Sequence, residues 1–185
     1  MRKLLFLLLP LVLLSSKCKD DTLTGNIALN ITARYNSNPL IINKIYDYSG
    51  KKVRFTKLSF FVSDATNRRE QIVGTTSINM NGTELFDFTG LTDSISALKG
   101  ISKSFNISVA SSDNIVLGIG VEQGKNSKKP KDFTSSNPLS DASYYWDSWN
   151  SYIFSKLEGL MDKDGDGKFD FHFRRSRAIF RFFRL

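Results

Sequence analysis

Residues 53–63 read Val53-Arg54-Phe55-Thr56-Lys57-Leu58-Ser59-Phe60-Phe61-Val62-Ser63. Apolar side chains at Val53, Phe55, Leu58, Phe60 and Val62 have the two-residue period of a strand that buries one face. The phase slips between Phe55 and Leu58, and a β-bulge would accommodate that slip. Upstream, Ile27, Leu29 and Ile31 alternate in the same way. Asn36-Ser37-Asn38-Pro39 reads as a turn, residues 40–45 as a short extended piece, and residues 46–50 as a loop. Downstream, residues 64–69 form a polar connection, and Asn79-Met80-Asn81-Gly82-Thr83 makes a loop or tight turn before Leu85, Phe86 and Phe88.

Two further alternating runs follow: Phe105, Ile107 and Val109, then Ile115, Leu117, Ile119 and Val121. Gly118 and Gly120 share the other face of the second run, so a close-packed neighbour is expected there, most simply an aromatic ring. Residues 124–138 are rich in Lys, Ser, Asn and Pro, a surface loop of a length that usually has a reason. Residues 139–149 read as helical or irregular, with Asp141, Tyr145, Trp146 and Trp149 placed to meet a surface on one side. Tyr152, Phe154 and residues 156–157 make another strand, and Phe169, Phe171 and Phe173 alternate again. No helical stripe of ten or more residues is present. The expectation is an all-β domain, a two-sheet antiparallel sandwich, immunoglobulin-like in outline.

The composition suits a packed core: 41% hydrophobic, 12% aromatic and 24% charged, with fifteen Phe and six Tyr against a single His. The formal charge of +8 invites a nucleic-acid reading, but its distribution argues otherwise. Arg2, Lys3 and Lys17 lie in the leader. The remaining excess sits in residues 168–185, where Lys168, Arg174, Arg175, Arg177, Arg181 and Arg184 face Asp170 alone. A neutral body with a basic aromatic end does not suit nucleic acid. Contact of the tail with a membrane surface is the better use of Phe180, Phe182 and Phe183 beside arginines.

Arg2 and Lys3 precede the apolar run 4–14, the order of a secretory signal. Leu14-Ser15-Ser16-Lys17-Cys18 resembles a bacterial lipoprotein processing site, with Lys17 departing from the usual small residue. The expected organisation is a signal peptide over 1–17, a short tether over 18–25, a β domain over 26–173 and a basic aromatic tail over 174–185. Lipidation at Cys18 would anchor the protein to a membrane as an outer-membrane lipoprotein of the cell envelope, facing the periplasm or the cell surface. It would also leave no thiol for a disulfide. An ordinary signal peptide with an incidental cysteine is the alternative.

Asp162-Lys163-Asp164-Gly165-Asp166-Gly167-Lys168-Phe169-Asp170 has the spacing with which oxygens surround a hard cation, and its sixth-position glycine permits the sharp turn. Asp162, Asp164 and Asp166 would supply carboxylates, Lys168 its carbonyl, and Asp170 a direct or water-mediated contact. These ligand types suit Ca²⁺ rather than copper or zinc. An EF-hand is disfavoured, because Phe173 stands at the twelfth position and the flanks read as strands. Glu158 and Asp147 are further donors, and a solvated turn without an ion is the alternative.

Several segments in order, from about Asn26 to Phe173, resemble the MbnP-like family, exported bacterial β-proteins related to a periplasmic copper-binding protein associated with methanobactin uptake. They are Asn36-Ser37-Asn38-Pro39-Leu40, residues 53–63, Leu117-Gly118-Ile119-Gly120-Val121-Glu122, Tyr145-Trp146-Asp147-Ser148-Trp149-Asn150-Ser151-Tyr152-Ile153-Phe154, Lys156-Leu157-Glu158-Gly159 and Phe171-His172-Phe173. The resemblance implies a copper site of two histidines beside a tryptophan. His172 matches the later histidine, and Trp149 or Trp146 the aromatic, but the early histidine falls at Ala33. Met80 and Met161 are conceivable soft donors. The resemblance also implies an outer-membrane transporter or a peroxidase-like partner. The family continues further past its later histidine, so the resemblance leaves two alternatives open, a native basic tail or a truncated end lacking one or two strands, which would leave an edge at 169–173 open to aggregation.

Catalysis would need paired groups. Ser148, Ser151 and Ser155 have only His172 as base and no signature places them together; Asp141, Asp147 and Glu158 could form a carboxylate pair, but acids beside aromatics also occur on plain binding surfaces. Tyr144, Tyr145, Trp146 and Trp149 read as core cover before sugar platform. The expected activity is binding without catalysis.

Overall fold

The computed structural model describes residues 22–64, 82–110, 116–177 and 181–184. The leader, Cys18 and the tether as far as residue 21, the connection after Asp64, Met80, Ile115 and Phe180 lie outside the described residues. The first strands are β1 (Thr22–Ile31), β2 (Arg34–Tyr35), β3 (Asn38–Pro39), β4 (Ile45–Tyr48), β5 (Lys51–Asp64) and β6 (Thr83–Asp87). Helix α1 (Ser94–Lys99) precedes β7 (Ile101–Ala110) and β8 (Val116–Ile119), and α2 (Gln123–Asn126) follows. The chain ends through β9 (Tyr145–Trp146), β10 (Ser151–Tyr152), β11 (Ser155–Asp162), β12 (Phe171–Arg177) and β13 (Arg181–Arg184).

β5 is the hub, as its apolar alternation requires. One edge pairs with β11 and then β8, and the other with β4 and then β6, all antiparallel. With β12 beside β11 and β13 beside β8, this makes a seven-stranded sheet. The expected bulge is present: Glu158 faces Lys57 and Gly159 faces Phe55, so Thr56 is the extra residue. It keeps Val53 and Phe55 on the same face as Leu58, Phe60 and Val62.

That first face is covered by the β1–β7 ladder, ten residues long. Val62, Phe86, Phe88 and Phe105 form its buried centre, with Leu29, Ile31, Leu58, Phe60 and Ile101 around them. Beside it, Leu40, Tyr46 and Val53 pack with Tyr35, Phe55 and Phe173. Each such side chain withdrawn from water contributes about 1.5–3 kcal/mol. The second face buries Phe61 under Val121, Leu139, Tyr144, Tyr152 and Phe154. No sheet covers it. The cover is an irregular run with 3₁₀ turns at Pro130–Asp132, Pro138–Ser140, Ala142–Tyr144 and Asp147–Trp149. The long loop thus has a structural reason.

The domain is predominantly β, as expected, but its described strands fall into four sheets, of seven, two, two and two strands. This corrects the two-sheet immunoglobulin-like sandwich. β5 gathers partners along both edges, and a 3₁₀-rich chain takes the place of a second full sheet. Two local readings are also corrected. Residues 40–44 are a turn whose Leu40 and Ile42 are buried, and β4 lies where a loop was expected. Ser49 (φ 49°) and Gly50 (φ 79°) join β4 to β5, the paired positive φ values of a two-residue type I′ hairpin. Helix α1 had no sequence stripe to announce it. Asp93 caps it through Oδ1, which accepts from Ile95 N at 2.8 Å and Ser96 N at 3.0 Å.

Candidate functional site

β11 runs to Asp162, the chain turns through residues 163–170, and β12 returns beside it. The acidic segment is therefore at a bend between two strands. Asp162 is buried, and its carboxylate closes the turn: Oδ1 accepts from Gly165 N at 2.8 Å and Oδ2 from Gly167 N at 3.0 Å. Both glycines sit at positive φ, 76° and 83°, where a side chain would be strained. Asp166 accepts from Lys168 N at 2.9 Å and pairs with the Lys168 ammonium at 2.6 Å. The Lys168 side-chain bond, followed by its backbone bond, holds the Asp166 carboxyl below its ordinary value. The Lys51 ammonium donates to the Lys163 carbonyl and ties the loop to β5.

Asp164, Asp166 and Asp170 are exposed, and among the described residues no group of three His, Cys, Asp or Glu side chains is gathered to hold a metal. Glu158 is spent on Arg174, Oε1 to Nε 2.9 Å, and Asp147 lies 4.0 Å from the Lys129 ammonium. The oxygen donors suit a hard cation, but only Asp162 is turned inward. Each of its oxygens has one amide bond and keeps a second lone pair.

The copper positions do not meet. Ala33 packs against both clusters of the first face. Phe173 packs on that face too, 5.8 Å from the Phe55 ring centroid, so strand alternation turns His172 the other way. His172 is exposed, with Leu160 opposite it. A lone imidazole, with a methyl group at the other position, does not fit the two-histidine site that the resemblance implies. Met161 lies opposite Phe171 and Val53 within the sheet.

Trp149 is nonetheless brought to the His172 side of β12. The 3₁₀ turn Asp147–Trp149 ends at Asn150, in the left-handed region at φ 48°, and reverses the chain into β10. In the β9–β10 pairing Tyr152 faces Tyr145 and Ser151 faces Trp146. The tyrosines are drawn inward, with ring centroids 5.0 Å apart, and the tryptophans are left outside. Trp146 and Trp149 stack at 4.2 Å with 16° between their planes, yet remain 41% and 59% exposed. With Ile153, Arg174 and Ser176 they line a cleft of about 450 Å³. Core cover thus describes Tyr144 and Tyr145 but not the two indoles.

A buried lysine adjoins this region, and sequence reading passed over it. Lys156 donates from Nζ to the Ser143 carbonyl at 2.6 Å and lies 3.9 Å from the centre of the Tyr144 ring. Tyr144 donates to Ser59 Oγ at 2.7 Å, with Lys57 5.5 Å from the same ring. Burial, then the charges of Lys57 and Arg174, holds the Lys156 amine below its ordinary value; burial raises the Tyr144 hydroxyl. Lysine at an inward-facing strand position was the available signal.

Asp141 caps a 3₁₀ turn through Ser143 N at 2.8 Å, and Ser151 Oγ bonds to the Asn126 side chain at 3.0 Å. Ser155 lies five residues along β11 from the position facing His172, about 17 Å by strand rise.

In the comparisons with known proteins, the MbnP family model matches residues 24–178, a span containing β5, the 3₁₀ cover, the acidic loop and β12. No curated protein and no solved structure matches the chain. A match over most of the chain shows the family, and the chain belongs to MbnP, a family of non-catalytic binding proteins.

Proposed function

We propose that this MbnP-family chain is an exported binding protein of the cell envelope, anchored at the outer membrane through Cys18, with a structural Ca²⁺ site in residues 162–170. The carrying observation is the inward, buried carboxylate of Asp162 in a turn built on two left-handed glycines. Asp164 and Asp166 would swing in to join it, with Lys168 offering its carbonyl and Asp170 a direct or water-mediated oxygen. Bound calcium would neutralise the clustered acids and pin β11 to β12. Lys168 must release Asp166 for this, so occupancy competes with an existing ion pair.

Copper handling would fall to His172 and Trp149, a set too small for the task. The second reading is therefore a surface lipoprotein without copper affinity, favoured by the packed methyl group of Ala33. A transporter or peroxidase-like partner rests on family resemblance alone.

The test is thermal melting and elemental analysis of chelator-stripped mature protein given Ca²⁺, Cu(I) or Cu(II) separately. One Ca²⁺ per chain and a melting rise of roughly 5 °C at a hundredfold excess over Kd are expected, both lost in Asp164→Asn/Asp166→Asn. Unchanged melting with calcium overturns the ion site, and copper retained one per chain and lost in His172→Ala overturns the second reading. Mass spectrometry of the mature amino terminus tests the anchor, which an unmodified start elsewhere than Cys18 would remove.

A further inference from the structure

We infer that the cleft lined by Trp146, Trp149 and Arg174 binds a small organic anion: a carboxylate carried on a flat ring with an apolar face. None of the lining residues belongs to the acidic loop, so the inference stands apart from calcium and needs no copper.

Three observations carry it. The first is the exposed indole pair, which stacks ring on ring at the surface, whereas Phe61, Phe86, Phe88, Tyr144 and Tyr152 are all at most 1% exposed; Tyr48 and Phe171 are exposed too, but neither lines this cleft. Two stacked indoles held out by a tight hairpin leave apolar area in water at an expense of about 25 cal/mol per Å², which a flat ligand would recover. The second is the cleft's form. At about 450 Å³ it is within the range of small-molecule sites, and buried Ile153 contributes to an apolar lining.

The third is charge. Glu158 takes Arg174 Nε at 2.9 Å, which orients the guanidinium and leaves its terminal nitrogens for a two-point contact with a carboxylate. Ser176, two residues along β12 on the same face, lines the cleft beside it. Lys156 stands opposite Ser176 across the β11–β12 ladder, and Arg174 and Lys57 are charges that its buried amine feels. Acids answer these charges one for one, since Glu158 pairs with Arg174, Asp87 lies 4.0 Å from Lys57, and Lys156 feels Asp141 as well, so the preference for an anion rests on the terminal nitrogens of Arg174 beside Ser176 rather than on a net charge. An uncharged sugar would use the indoles but leave the Arg174 fork without a partner.

Trp146 and Trp149 are the only tryptophans in the sequence, so intrinsic fluorescence reports this cleft alone. Mature protein would be titrated with glucuronate and glucose by fluorescence, and with benzoate and benzyl alcohol by calorimetry. Saturable binding of at least one acid is expected, roughly tenfold or more tighter than its neutral counterpart. Glucuronate alone would identify a sugar acid, benzoate alone an aromatic one. Arg174→Gln should weaken binding at least about tenfold and Arg174→Lys by less, because the fork and not only the charge is used. Trp149→Ala should abolish binding and Trp149→Phe retain part of it, with far-ultraviolet circular dichroism unchanged. No saturation with either acid at low-millimolar concentration, equal binding of the neutral compounds, or affinity indifferent to Arg174→Gln would each overturn the inference.

Discussion

Both faces of the seven-stranded sheet bury aromatic side chains, by different means. The part of the first under a regular ladder, β1 on β7, whose backbone groups pair with one another, has a hydrocarbon centre of Val62, Phe86, Phe88 and Phe105, and that face's buried Tyr46 lies beside it, where its hydroxyl accepts from Ile41 N at 2.7 Å in the turn at residues 40–44. The second is covered by 3₁₀ turns, which leave many backbone groups without a ladder partner. Its core accordingly uses tyrosines. Tyr152 donates to the Leu139 carbonyl at 2.7 Å, Tyr144 to Ser59 at 2.7 Å, and Lys156 to the Ser143 carbonyl at 2.6 Å. Asn126 accepts from Tyr152 N at 2.9 Å. Where the cover is irregular, the buried side chains must carry hydrogen bonds as well as area. That cover also projects the indole pair, which a flat ladder would have had to bury.

Truncation would test the contrast most severely. Phe86→Ala and Tyr152→Ala should each cost about 3–5 kcal/mol in urea unfolding. Both transitions should stay single; a second transition in Tyr152→Ala alone would show that the irregular cover is a separate unit. Alkali should act on the second face. Burial pushes the Tyr152 hydroxyl up to about 12 from 10.0. The folded chain therefore keeps a proton that the unfolded chain loses, and stability falls from pH 10 toward pH 12. Tyr152→Phe should flatten that fall, which a pH series of melting temperatures would show.

Gly159 joins the comparison from the first face. A Cβ there would overlap the Phe173 ring and lie 2.6 Å from the Arg54 carbonyl oxygen, so Gly159→Ala should cost about 1–3 kcal/mol. Denaturation with an unchanged midpoint would show that Phe173 yields freely. The smallest effect is expected at Lys156. Its amine is held below the ordinary 10.5, so the unfolded chain binds the extra proton and stability rises with pH up to about that value. Lys156→Met should remove this rise and stabilise the fold by about 1 kcal/mol at neutral pH, since it relieves burial of a charge. A loss of stability instead would mean that the Ser143 and Tyr144 contacts outweigh desolvation.

Much of this was legible in the linear order of residues. The β5 alternation and its slip are local, and the structure realises them as a strand with Thr56 bulged. The position of residues 162–170 at a bend between strands was legible for the same reason, since flanking periodicity and paired glycines act over a few residues. The inward turn of Asp162 alone among the acids was not, because it depends on amides that meet it only when the loop closes. The separation of Ala33 from His172 was equally hidden: each position reads as a strand residue, and only pairing and packing decide which face it joins.

By itself the sequence determined that the domain is built from strands, where β5 slips, and where the acidic turn falls, because period, bulge and turn chemistry are properties of neighbouring residues. Tertiary structure alone decided that one sheet is covered by a ladder on one side and by 3₁₀ turns on the other, and that Arg174 of β12 comes beside indoles more than twenty residues earlier. Those arrangements depend on which surfaces remain to be buried after every strand has found its partner.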